Sequence, residues 1–256
     1  VIGILAITFS HKDVMMLTPS TSTGHELVLS GQTLQLLPRG AAYWKEGSTL
    51  FVADLHLGKS TAFRRNGIPI PQGASERTLV DLQECVQSTR AQRLIVLGDF
   101  VHAKCGWDDS LVQDIQRFLF SIPHTELIVV EGNHDRGSRR RLDQIGISMR
   151  EEPMLEPICN CFHDPNAFWT STSAASSYAM AGHLHPSIRL GASWGDRVTL
   201  PCFWFVRHCL VLPAFGKFTG TKPIVREPGD QVFAIAENEV IALESAATSL
   251  ASRSRR

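Results

Sequence analysis

The stretch Leu50-Phe51-Val52-Ala53-Asp54-Leu55-His56 decides the fold, because an unbroken apolar run ends abruptly in a carboxylate and an imidazole. A short apolar run bounded by polar residues reads as a strand buried on both faces. The same signature returns at Leu94-Ile95-Val96-Leu97-Gly98-Asp99, and again at Leu127-Ile128-Val129-Val130 followed by Glu131-Gly132-Asn133-His134-Asp135. The segments between these runs have helical periodicity. Ser75 to Arg90 places Leu79, Leu82 and Val86 on one face with Ser75 as N-cap, and Asp109 to Ile122 carries Leu111, Val112, Ile115, Phe118 and Leu119 before Pro123 stops it. Strand and helix in alternation predict a βαβαβ unit, whose parallel strands all end at one sheet edge.

That edge collects unusual chemistry. Asp54, His56, Asp99 and Asn133 follow the three strands, and His163 and Gly182-His183-Leu184-His185 come later in the chain. On an extended segment the i, i+2 spacing of Asp54 and His56 predicts that both face one ion. His163, in Cys159-Asn160-Cys161-Phe162-His163-Asp164-Pro165, is preferred to His124 and His208, which stand apart from any motif. Carboxylate, imidazole and one Asn amide, without thiolate, suit a divalent first-row metal. Mn²⁺ is the first expectation, with Fe²⁺ or Zn²⁺ as alternatives, and Mg²⁺ fits less well. Two such ions roughly 3.5–4 Å apart, sharing a carboxylate, would deprotonate a water and polarise a phosphoryl oxygen, which serves phosphoester hydrolysis. A lone D-x-H or G-N-H-D recurs by chance. Their joint order on strand ends carries the weight.

The order D-x-H, G-D, G-N-H-D, H, G-H-x-H resembles the calcineurin-like metallophosphoesterase superfamily over residues 50–186. The resemblance implies an α/β fold, a four-layer α/β/β/α sandwich. It also implies that Asp54, His56, Asp99 and His185 bind one ion and Asp99, Asn133, His163 and His183 the other, Asp99 bridging. His134 would then protonate the leaving oxygen or stabilise transition-state charge, a task an imidazole can perform near pH 7. In Gly98-Asp99-Phe100-Val101-His102 a His stands where the Ser/Thr phosphatase branch has a second Asp. This G-D-x-x-H form is similar to that of DNA-repair nucleases of the SbcD type, and it makes His102 a second candidate for catalysis or phosphate binding.

Longer stretches, Val52 to Lys59, Phe63 to Pro71, Leu200 to Phe203 and Leu212 to Gly220, look like the ligase-associated DNA damage response endonucleases. The likeness runs from about residue 26 to 222, with Thr221-Lys222 departing where another small residue is expected. It implies a phosphodiesterase acting on DNA alongside an ATP-dependent DNA ligase, a helicase and an exonuclease in bacterial repair. A phosphodiesterase of small nucleotides or nucleotide-linked metabolites is the alternative. A non-catalytic scaffold would show lost ligands, and no ligand is missing.

Twenty-five basic residues balance 25 acidic ones, which argues against indiscriminate nucleic-acid binding. Local clusters remain as candidate phosphate-binding groups: Lys59, Arg64 and Arg65 after the first motif, and Arg136 after the third. Arg139, Arg140 and Arg141 read equally well as the solvated face of a short helix ending near Gly146. Trp107, Phe168 and Trp169 fall in expected loops, where a packing anchor is the commoner role than a base platform.

Six cysteines without a C-x-x-C pair read as buried free thiols. No apolar run approaches the roughly 18 residues of a membrane span, and a cytoplasmic location without membrane association is expected. Val1 to Phe9 is apolar but lacks a basic leader and cleavage site. Residues 1–24 are therefore expected to be a peripheral extension, 25–244 the catalytic domain and 245–256 a flexible tail. Thr170 to Ser177 is expected to be a mobile loop. After residue 186 strands dominate, at Val198 to Phe205, Cys209 to Leu212, and Gln231 to Leu243 broken at Glu237-Asn238-Glu239. These are expected to build a second sheet.

Overall fold

The computed structural model describes residues 24–68, 73–102, 106–171, 177–191 and 197–244. The expectations for the N-terminal extension, Cys105, the 245–256 tail and most of the 170–177 loop lie outside these residues. The first sheet runs in chain order through β1 (His25–Leu29), β2 (Gln32–Leu36), β3 (Ala42–Trp44), β4 (Thr49–Val52), β5 (Arg93–Leu97), β6 (Glu126–Val130) and β7 (Ser148–Arg150). Pairing is antiparallel from β1 to β4 and parallel from β4 to β7. Helices α1 (Lys59–Arg65) and α2 (Ala74–Thr89) link β4 to β5, α3 (Asp109–Ser121) links β5 to β6, and α4 (Arg139–Gln144) links β6 to β7.

Strand parity explains why the three apolar runs are uninterrupted. Leu50, Val52, Leu94, Val96, Leu127 and Val129 pack against Leu82 and Val86 of α2 and Ile115 and Phe118 of α3. Their neighbours Phe51, Ile95, Leu97, Ile128 and Val130 point the other way, into a second core with Met180, Phe203, Leu210 and Phe233. Both faces are buried, so neither can be polar. Each such side chain removed from water contributes about 1.5–3 kcal/mol, which fixes these strand ends firmly beneath the site.

The second sheet comprises β8 (Met154–Leu155), β9 (Asn160–Cys161), β10 (Ala179–Ala181), β11 (Pro186–Gly191), β12 (Arg197–Val206), β13 (Cys209–Val211), β14 (Lys222–Pro223), β15 (Gln231–Ala236) and β16 (Glu239–Leu243). Its order is β14-β11-β12-β13-β10-β9-β8, with β15 pairing both β12 and β16. Helix α5 (Pro165–Trp169) covers the outer face, where Phe168 packs with Ala179, Ala181 and Val211. The layers are thus helices, sheet, sheet and one short helix, the α/β sandwich expected.

Ser75 does not cap α2, which starts at Ala74 after a left-handed Gly73. Its hydroxyl instead accepts the Gly58 N–H at 2.9 Å and ties α2 to the turn before α1. Phe168 and Trp169 lie on α5 rather than in a loop, a helix begun by Asp164, which accepts the Asn166 N–H, and by Pro165 at its first position. Trp107 is buried and donates its Nε1–H to Ser138 Oγ at 3.0 Å, so it is an anchor. Cys85, Cys159, Cys161, Cys202 and Cys209 are buried free thiols, and burial pushes Cys85 up to about 11 and Cys202 to about 12. Among the described residues no helix is long and apolar enough to cross a membrane.

Candidate metal centre

Beyond β4 the chain continues along the end of β5 through loop hydrogen bonds: Asp54 N to Gly98 O (3.2 Å), His56 N to Asp99 O (2.8 Å) and Leu57 N to Phe100 O (3.0 Å). The first two motifs are therefore stitched side by side. The backbone here is not extended as the i, i+2 argument supposed. Asp54 (φ 54°) and His56 (φ 45°) are left-handed, as are Asp99 (49°), His183 (66°) and His185 (47°). Non-glycine residues in this region are strained by about 1–3 kcal/mol each, and such residues cluster where function over-determines the geometry.

Turning the chain in this way brings two donor groups together, Asp54 with His56 and His185, and Asp99 with His163 and His183. In the first, His185 Nε2 lies 3.5 Å from Asp54 Oδ1 and 3.4 Å from His56 Nε2. In the second, His163 Nε2 lies 3.6 Å from Asp99 Oδ1, 3.0 Å from His183 Nδ1 and 2.8 Å from Asn133 Oδ1. Asp99 Oδ2 is also 3.6 Å from His56 Nε2, so this carboxylate touches both groups.

Carbonyl neighbours set two of the tautomers. His163 Nδ1 is 3.1 Å from Leu97 O, and His185 Nδ1 is 2.9 Å from Gly220 O. A carbonyl can only accept, so each Nδ1 carries the proton and each Nε2 presents a lone pair to its cluster. Burial, followed by the His185 and Lys59 charges, pushes His56 down to about 2 and keeps it neutral. Burial disfavours the charged form of His185 as well, but the adjacent Asp54 carboxylate outweighs it and raises its pKa.

A divalent cation fits this donor set. Asp54 is fully buried, its Oδ2 accepts the His183 N–H at 2.8 Å, and its Oδ1 has no hydrogen-bond partner. An anionic oxygen held dry and unpartnered is costly, and a cation between it and the imidazole lone pairs would satisfy it.

Glycines make room for the candidate ligands. A Cβ on Gly98 would stand 2.0 Å from His163 Nδ1, and one on Gly132 would stand 2.4 Å from Asp99 Oδ1. Asp135, in the third motif, has a role that its place in the sequence does not reveal. Fully buried, its Oδ2 accepts the Phe100 (3.2 Å) and Gly132 (3.1 Å) N–H groups and its Oδ1 accepts Val101 N–H (3.1 Å). It clamps the second motif to the third at the cost of a pKa pushed by burial up to about 6. Asn offers only one oxygen for these three donors. Asp135→Asn is expected to lower unfolding stability by about 3 kcal/mol, read by urea denaturation, and an unchanged midpoint would contradict the clamp.

His102 and His134 stack over the first group, ring centroids 4.6 Å apart, and His102 Nδ1 lies 3.3 Å from His56 Nδ1. Burial, then His134 and Lys59, pushes His102 down to about 4. Lys59, itself lowered by burial, lines a cleft with His56. Arg64 donates to Thr61 Oγ1 at 3.1 Å within α1, and Arg65 lies exposed at its end. Arg136 lines an open groove with Asn133, Glu131, Glu151 and Glu152. Arg139 is bound instead to Glu131 (2.8 Å) and Met149 O (2.9 Å), and Arg141 lies over Trp107, so both have structural partners.

A two-sheet sandwich with carboxylate and imidazole donors gathered at the strand ends defines a metal-dependent hydrolase. The profile of the calcineurin-like phosphoesterases matches residues 47–202, more than half of the chain, and the chain belongs to that family. Its reaction class is the metal-dependent hydrolysis of phosphoester bonds. Among solved structures, the nuclease MPE of Pseudomonas putida aligns with a TM-score of 0.73 at 27% identity, covering 86% of this chain and 100% of that one. YfcE, a phosphoesterase from E. coli, aligns with a TM-score of 0.38 at 13% identity over 77% of this chain and 97% of its own. A search of curated proteins gives no match.

Proposed function

We propose that this protein is a two-metal phosphodiesterase that acts as a nuclease in DNA repair. The observation that carries the reading is the placement of Asp99, whose two oxygens each lie 3.6 Å from an imidazole of a different donor group. Asp54, His56, Asp99 and His185 hold one ion in this reading. Asp99, Asn133, His163 and His183 hold the other, with Mn²⁺ the expected metal. When bound, the pair supplies Lewis acidity to the phosphoryl group and lowers the pKa of a water.

The remaining steps belong to the chain. His134 stands beside His56 and His102 and delivers a proton to the leaving oxygen. Were His56 to serve as a metal ligand through Nε2, its Nδ1 would carry the proton and donate to His102 Nδ1 at 3.3 Å. His102 Nε2–H is thereby left as a donor for a phosphate oxygen. Lys59 lines a cleft with His56 and Arg136 a groove with Asn133, and with Arg64 and Arg65 they receive the flanking phosphates. The P. putida nuclease supports a diester rather than a monoester substrate. Action beside an ATP-dependent ligase, a helicase and an exonuclease rests on the likeness of the stretches quoted above.

The test is Mn²⁺-dependent hydrolysis of bis-p-nitrophenyl phosphate against p-nitrophenyl phosphate, in parallel with labelled single- and double-stranded DNA. Diester and DNA cleavage, both abolished by chelation and restored by Mn²⁺, is the expected result. Diester cleavage with DNA intact would shift the reading to small nucleotide diesters, and no turnover would overturn it.

A further inference from the structure

Trp107 and Phe168, for which packing is the expected role, are buried, yet another aromatic stands partly open beside the centre. Phe218 is 39% exposed and lines the same cleft as His56, Lys59 and Ser75. Its position is fixed by a turn fastened to the candidate ligands at both ends. Gly216 N–H donates to Asp54 O at 3.2 Å, and Gly220 O accepts from His185 Nδ1 at 2.9 Å. Between them, Lys217 is held by buried Asp81 (2.9 Å) and by Thr78 Oγ1, and Thr219 Oγ1 donates to Gly216 O at 2.7 Å. The turn is held at both ends and through Lys217, and the one apolar side chain in it stays partly exposed.

A partly exposed ring on a hydrogen-bonded turn, with the Lys59 amine and the candidate ligand His56 lining the same cleft, matches what a nucleobase joined to a reacting phosphate requires. The flat face stacks the base, while Lys59 and the centre hold the phosphate. We propose that Phe218 is the stacking platform for the base adjoining the scissile phosphate, and that the substrate is a base-bearing phosphodiester. This rests on the phosphodiesterase reading and narrows it. Nucleic acid and free nucleotide diesters share this chemistry.

The measurement is fluorescence anisotropy of a labelled short oligothymidylate and of an abasic strand of equal length, without turnover, on wild type, Phe218→Ala and Phe218→Trp. Phe218→Ala is expected to weaken the preference for the base-bearing strand by about tenfold, and Phe218→Trp to restore it. Equal affinity of wild type for both strands, or an equal loss on both in Phe218→Ala, would overturn the proposal. Competition by thymidine 5′-monophosphate but not by ribose 5-phosphate would also support it, and would place free nucleotides among the ligands. Hydrolysis of bis-p-nitrophenyl phosphate, which carries no base, scores the phosphodiesterase reading separately, so failure of either is distinguishable.

Discussion

Asp99→Asn is expected to cost at least about 10³-fold in kcat/KM on any diester, because in the proposed arrangement one substitution disables both ions. Asp99 is 2% exposed and faces His56 through one oxygen and His163 through the other, while Oδ1 also accepts the His134 N–H at 2.9 Å. Asn keeps the shape and can keep that backbone bond, but it has no charge and only one oxygen. Metal analysis after gel filtration should therefore show both ions lost or weakened, with the metal-free melting temperature close to wild type. Full metal content in the variant would refute the bridging role.

His134→Ala should behave in the opposite manner, retaining the metals while turnover falls by about 10²–10⁴-fold. The size of the loss should depend on the leaving group. A p-nitrophenolate departs readily without a proton, whereas the sugar alkoxide of DNA needs one. The variant is expected to lose much more on DNA than on bis-p-nitrophenyl phosphate. Equal losses would make His134 a stabiliser of transition-state charge, and full activity on DNA would remove it from the chemistry.

The central strands and the loops that carry the candidate ligands are legible because burial leaves so few options there. Phe51 and Val52 serve different cores, and that is why neither is polar. The short strands β8, β9 and β10 are not legible, since each is only two or three residues long: Met154–Leu155 pairs with Asn160–Cys161, which in turn pairs with Ala179 and Met180. Ser75 shows the same limit in reverse. Its hydroxyl has a local use as a cap, but Gly58 N–H, brought close by tertiary structure, takes it. Within the site, residue types were readable and conformations were not. Nothing in Asp54-Leu55-His56 announces left-handed backbone, because that bend is set by the hydrogen bonds to Gly98 and Asp99. Phe218 lies within Leu212 to Gly220, and its exposure has no sequence signature.

Left-handed backbone at Asp54, His56, Asp99, His183 and His185 has a meaning for directed evolution of this enzyme. Glycine would relax each position by about 1–2 kcal/mol. A library screened for heat resistance alone would therefore be rewarded for erasing the donors one by one, each winner more robust and less able to hold an ion. Selection that couples survival at high temperature to turnover is needed to keep these five residues, and the tolerance gained must come from other parts of the chain.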